Sequence, residues 1–143
     1  MIELVEDRLD IDTYLELRQS VQFRELTRDQ AKKGLSNSLY TLVAFKDGKA
    51  VGMGRIVGDG AIICYVQDLI IRPEVQVEGI GGLILETLKK FVIQEGYEGT
   101  TMMFDLMCAK GREEFYKKHG FIARPTKDLG PGMIQFIQIG EEG

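Results

Sequence analysis

The sequence predicts a mixed α/β fold: a mostly antiparallel sheet of six to seven strands, flanked by about four helices. Three observations carry that reading. Two apolar runs, Tyr40 to Phe45 and Ala50 to Val57, flank Lys46-Asp47-Gly48-Lys49, a hairpin signal. A long amphipathic helix pattern after Gly79 lies between two apolar runs, and such a strand–helix–strand order places its strands parallel through a right-handed crossover. Finally, 143 residues with 44% hydrophobic content suit one domain around one core, without linkers or repeats.

In chain order, Ile2 to Val5 reads as a first strand. Asp10 or Asp12 is positioned to cap a helix running to about Val21. Thr27-Arg28-Asp29-Gln30 resembles a capping box opening a second helix, with Gly34 as its stop. After the hairpin, Gly58-Asp59-Gly60 turns into a strand from Ala61 to Ile71, completing an antiparallel meander. Gly52 and Gly54 inside a strand signal a bend or a close approach, and tight sheet twist is the plainer cause. Pro73 stops the Leu69-Ile70-Ile71 run. Ile80, Leu83, Ile84, Leu88 and Phe91 then fall at helical spacing. Thr101 to Met107 is a strand parallel to Ala61–Ile71. Arg112 to His119 is a short helix ended by Gly120. Phe121 to Arg124 and Met133 to Ile139 are the last expected strands.

The functional signal sits at the join after Pro73. A helix N-terminus carries unpaired N–H groups and partial positive charge, which attract an anion. Gly79, Gly81 and Gly82 lack a β-carbon, so a phosphate can approach the backbone closely. No Gly-Lys-Ser/Thr follows, which excludes a Walker loop, and the full G-x-G-x-x-G spacing is absent.

Two motifs go further. Gln76-x-x-Gly79-x-Gly81, after a strand ending in Arg72-Pro73, resembles the acetyl-CoA signature Arg/Gln-x-x-Gly-x-Gly/Ala of the GNAT superfamily of N-acetyltransferases. Phe115-Tyr116-Lys117-Lys118-His119-Gly120-Phe121 resembles that superfamily's Phe-Tyr-x-Lys-x-Gly-Phe. The resemblance spans nearly the whole chain. It implies a GNAT-like sheet splayed between two central parallel strands, with acetyl-CoA as co-substrate. It places the cofactor on backbone groups of Leu69, Ile70 and Ile71 and on the loop Gln76, Val77, Glu78, Gly79, Ile80, Gly81 and Gly82. A backbone amide at Leu69–Ile71 would polarise the thioester carbonyl. The loop departs from the family at Val77, where glycine is common, and at Glu78, where a basic residue is common.

The implied reaction transfers an acetyl group to a primary amine. An alkylammonium has a pKa near ~10.4, so a base or a water relay must remove a proton. Asp68 beside the thioester strand, Glu25 in the connection from Gln22 to Thr27, and Asp105 on the facing strand are the candidates. Tyr116 is the general acid for the departing thiolate by resemblance; on pattern alone it would be a packing aromatic. Arg18 reads either as structural or as a contact for an acidic substrate group. His119 reads as a favourable charge at a helix C-terminus.

The formal charge of −4, with no basic block, argues against nucleic acid and suits a cationic substrate. No apolar run is long enough to span a membrane, and Met1-Ile2-Glu3 is no signal peptide, so a cytoplasmic protein is expected. Cys64 and Cys108 are expected as buried thiols. No Cys/His spacing suggests a metal. Arg124-Pro125 through Gly130-Pro131-Gly132-Met133 resembles the tail of small bacterial GNATs, which commonly pair as homodimers. A small-molecule amine is the favoured acceptor. A coenzyme A-binding module without turnover, and a protein N-terminal or lysine acetyltransferase, are the alternatives.

Overall fold

Short-range chemistry sets the first elements. In the computed structural model, which describes residues 1–140, β1 runs Ile2–Glu6. Asp10 then accepts the Thr13 N–H at 2.8 Å and starts α1, Ile11–Ser20. Thr27 and Gln30 form the expected reciprocal capping box at α2, Arg28–Ser36. Gly34 does not end α2, which runs two residues further.

Asp47 and Gly48, both at positive φ, join β2, Tyr40–Lys46, to β3, Lys49–Gly58. At the next turn the Asp59 carboxylate accepts from the N–H groups of Ala61, Ile62 and Ile63, launching β4, Ile63–Ile71. A 3-10 turn, Pro73–Glu78, leads into α3, Ile80–Glu95. β5, Met103–Leu106, follows and lies parallel to β4, as the crossover requires.

The sheet has the order β1-β2-β3-β4-β5, antiparallel except for the last pair. It is five-stranded among the described residues, not six- to seven-stranded. The chain divides into two compact units, Met1–Leu106 and the part beginning at Met107. In the second, α4 spans Glu113–Lys118, and Gly120 stops it at φ 92°.

The two missing strands lie in that second unit. Phe121 spends its N–H on the Tyr116 carbonyl at 3.1 Å, closing α4 instead of joining a ladder. Residues 133–139 are mostly apolar, yet Met133, Ile134, Phe136, Ile137 and Ile139 are all exposed. Strand propensity expresses packing on a half-buried surface, and without that surface an apolar composition produces no strand.

In the first unit the core has two faces. Under α3 lie Leu42, Ala44, Ile56, Cys64 and Val66, with Ile84 and Leu88 from the helix. Tyr40 stacks on Phe91 at 4.3 Å. Gly52 and Gly54 explain how α3 seats so closely. A Cβ on Gly54 would lie 2.7 Å from Ile84 Cγ2, and one on Gly52 would lie 2.7 Å from Ile71 Cδ1 and 3.3 Å from Ile84 Cδ1. The glycines therefore serve helix approach, not only sheet twist.

The opposite face carries Tyr14, Leu17, Ala31, Met53 and Ile70, under α1 and α2. It also holds a buried ion cluster around Asp68. Tyr14 donates its hydroxyl to Asp68 at 2.8 Å, and Arg18 and Arg55 donate at 3.2 and 3.3 Å. Arg18 also reaches the Arg24 carbonyl, and Arg55 reaches the Gly34 carbonyl and the Ser38 hydroxyl. Burial, then the Asp68 charge, pushes the Tyr14 phenol up to about 12, so it remains a donor. The cluster thus ties the end of α1, the following connection and the end of α2 to the sheet.

Two outcomes follow. Gly54→Ala overpacks the α3 face and should cost about 1–3 kcal/mol in urea unfolding; an unchanged midpoint would contradict the close approach. Asp68→Asn leaves two guanidiniums without their shared anion and should cost about 3–5 kcal/mol; wild-type stability would show that the cluster does not hold α1.

Candidate cofactor and acceptor site

The site begins where β4 loses a neighbour. β5 pairs with β4 only from Ile63↔Met103 to Val66↔Leu106. Beyond Val66 the next strand offers no partner, while β3 continues alongside to Ile71. Arg72 donates its N–H to the Val51 carbonyl at 2.8 Å. By the alternation of an antiparallel ladder, the backbone groups of Ile70 and Asp68 also face β3. Those of Leu69 and Ile71 therefore face the open side. The Ile71 carbonyl is occupied by the Gln76 side-chain amide at 3.1 Å. The N–H groups of Leu69 and Ile71 and the carbonyl of Leu69 remain on an edge able to bond a chain of amides.

A bulge sets the side chains of this stretch. Arg55 opposes Asp68 and Ile56 opposes Val66, leaving Gln67 as the extra residue. Cys64 and Val66 pack under α3, and so does Leu69. Asp68 and Ile70 consequently point to the α1 face. Asp68 is fully buried, and its two oxygens accept the three hydrogen bonds described above. That corrects the expectation of Asp68 as a base: its lone pairs hold the fold together and are not free for an acceptor.

The edge runs into the 3-10 turn and the start of α3. Val75 and Ile80 are buried anchors on either side. Gly79 adopts φ 79°, and nothing lies within 4 Å of where its Cβ would stand. No side chain caps the α3 N-terminus, so the first-turn amides of Ile80, Gly81 and Gly82 have no side-chain partner there. Val77 is 97% exposed. Glu78 is held by Lys46, whose Nζ lies 2.7 and 2.8 Å from its two oxygens, so its charge is matched within the protein. Gln76, expected on the pyrophosphate, instead caps the strand end. Arg72 bonds the Ala50 carbonyl and pairs with Glu16, fixing the corner at Pro73.

The remaining candidates lie elsewhere. Glu25 is exposed in the connection between α1 and α2. Asp105 is partly buried on β5, and its carboxyl is raised above the ordinary aspartate range by burial. Tyr116 is on α4 in the second unit, in edge-to-face contact with Phe115 and Phe121 at 5.1 and 5.7 Å. Burial, then the nearby Cys108, raises its phenol, which therefore stays protonated at neutral pH. Cys64 is buried, whereas Cys108, expected to be buried, is exposed. No group of three or more metal-ligating side chains occurs among the described residues, and no described helix is long and apolar enough to cross a membrane.

The open edge was expected from the family resemblance, whereas the bulge that sets its register was not. A signal existed, because the apolar positions 64 and 66 change parity to 69 and 71, which requires an extra residue between them. The Arg55 contribution to the ion cluster carried no sequence signal.

Known proteins share this fold. Residues 37–123 match the model of the acetyltransferase (GNAT) domain. Among solved structures, a Staphylococcus aureus protein of unknown function, described as a probable acetyltransferase, superposes with a TM-score of 0.84 at 28% identity, covering 96% of this chain and 100% of that one. A GNAT-family acetyltransferase from Streptococcus pneumoniae superposes with a TM-score of 0.79 at 28% identity, covering 96% and 99%. Glucosamine-6-phosphate N-acetyltransferase from Arabidopsis thaliana, at 13% identity, TM-score 0.72 and coverage of 96% and 99%, shares the fold. Two curated relatives are longer. The chain spans 30% of the chloroplastic GCN5-related N-acetyltransferase 2 of Arabidopsis thaliana, at 28% identity over 56% of this chain. It spans 55% of the N-acetyltransferase ycf52 of Pyropia yezoensis, at 30% identity over 67% of this chain. With the domain model matching more than half of its length, this chain belongs to the GNAT family of acetyltransferases.

Proposed function

We propose that this protein is an acetyl-CoA-dependent N-acetyltransferase acting on a primary amine of a small molecule. The observation that carries it is the open β4 edge leading into the uncapped start of α3. Amide-bearing pantetheine fits the Leu69 and Ile71 backbone groups. A pyrophosphate fits the amides of Ile80, Gly81 and Gly82, where the helix dipole favours negative charge. The pairing of Glu78 with Lys46 removes the repulsion that a carboxylate at this corner would otherwise impose.

In this reading the amine nitrogen attacks the thioester carbonyl carbon directly in a ternary complex. A C–N bond forms, the C–S bond breaks, and the thiolate departs. The Leu69 N–H is aimed along the open edge to receive the carbonyl oxygen as charge develops on it, an oxyanion-type role. Tyr116 serves as proton donor to the thiolate, and this assignment rests on the Phe-Tyr-x-Lys-x-Gly-Phe resemblance. Its protonated state at neutral pH supports donation. The negative net charge favours cationic acceptors. We also infer a cytoplasmic homodimer from the composition and the tail resemblance.

The test is release of free thiol from acetyl-CoA across a panel of amines and lysine peptides. Turnover with a small amine is expected. Turnover confined to peptides would move the assignment to a protein acetyltransferase, and binding of coenzyme A without turnover would make the protein a binding module. Tyr116→Phe should lower kcat about 100-fold with cofactor affinity retained; wild-type kcat in that variant would remove Tyr116 from the acid role.

A further inference from the structure

One partly buried carboxylate of the sheet has an oxygen shielded from water without the donor that burial normally demands. Asp105 is the register partner of Tyr65, one residue before the β4–β5 ladder ends at Val66 and Leu106. Phe104 and Leu106 pack into the cluster under α3, so strand alternation turns Asp105 to the opposite face. That face also carries Asp68, Ile70 and Met53. The two aspartates contrast sharply there. Asp68 has three donors, whereas Oδ1 of Asp105 is shielded with no hydrogen-bond partner among the described residues.

Among the described residues no charged side chain shifts the Asp105 carboxyl. The ionisable neighbours are Tyr65 on β4 and Cys64, whose thiol is raised chiefly by burial and in small part by Asp105 itself. The raised Asp105 carboxyl comes from burial, opposed only by its own backbone amide. A carboxylate with one oxygen shielded from water and only its own backbone amide beside it holds a proton, or a cation carrying N–H donors, more firmly than a solvated one. An alkylammonium supplies those donors.

We propose that Asp105 is the group that takes the proton from the acceptor amine. This rests on the acetyltransferase reading above. Tyr65 and Leu69 are four residues apart on β4, about 13 Å at the rise of an extended strand. That span accommodates the thioester head, the amine and one water between the Leu69 N–H and Asp105. The ammonium N–H bond breaks, the proton passes through the water to Asp105, and the freed nitrogen lone pair forms the C–N bond as the C–S bond breaks; the second proton of the acylated nitrogen leaves through solvent and ends on the departing thiolate. Asp105 then returns the proton to solvent. The role belongs to Asp105 rather than Asp68, because the Asp68 oxygens are already bonded.

The experiment compares wild type with Asp105→Asn and Asp105→Ala, each first shown to keep the wild-type circular dichroism and coenzyme A affinity within twofold. Thiol release is followed from pH 5.5 to 9.5 with the best amine of the panel. Wild-type kcat/KM should fall on the acidic side as Asp105 is protonated. Both variants should be about 100-fold slower, with a rate that rises in proportion to hydroxide. A carboxyl 13C titration of the wild type, which needs no turnover, should place Asp105 above the ordinary range. Variants with the wild-type rate and pH profile would overturn this proposal alone, as would an Asp105 midpoint near ~3.9. A wild type that releases no thiol with any amine would overturn the acetyltransferase reading and this proposal with it.

Discussion

The separation of β5 from β4 after Val66 governs the rest of this molecule. A strand in the middle of a sheet normally spends its backbone groups on two neighbours. Here β4 keeps β3 on one side to Ile71 and loses β5 on the other. The freed amides at Leu69 and Ile71 form a polar edge inside an otherwise apolar layer. Gln76 satisfies one group on that edge, the Ile71 carbonyl, and so marks where the edge ends and the phosphate corner begins. The bulge at Gln67 is the local device that accompanies the separation. It re-aims Asp68 and Ile70 to the α1 face while Leu69 stays against α3.

Charge is distributed unevenly around that edge, and the unevenness is informative. On the α1 face Asp68 is locked by Tyr14, Arg18 and Arg55, a buried group with its donors present. At the cofactor corner Glu78 is matched by Lys46. Asp105 has no such arrangement. Two of these three carboxylates are matched within the protein and the third has a shielded oxygen without a donor, which is why Asp105 and Asp68 receive different roles. The glycines of β3 contribute at one remove: by letting α3 sit close, they fix the helix whose N-terminal amides end the edge.

Much of this was legible in the residues. The caps at Asp10 and Thr27, the hairpin at Asp47-Gly48, and the crossover that makes β4 and β5 parallel all rest on local chemistry, and the chain obeys it. The glycine corner was legible for the same reason, since Gly79 occupies a left-handed position. Sequence reasoning failed where tertiary context decides. Met133 to Ile139 has strand composition, but the strand also needs a surface to lie on. Asp68 looked like a reactive group because it sits beside the thioester strand, whereas the donors that occupy it, Tyr14, Arg18 and Arg55, come from elsewhere in the chain. Gly52 and Gly54 signalled close approach correctly, yet the approaching element could be identified only once α3 was in place.

The most direct measurement is a coenzyme A titration followed by backbone amide resonances of the labelled protein. The account predicts saturable shifts concentrated at Leu69, Ile71, Ile80, Gly81 and Gly82, the groups facing the open edge and the start of α3. Shifts confined to other elements, or none at millimolar coenzyme A, would contradict it.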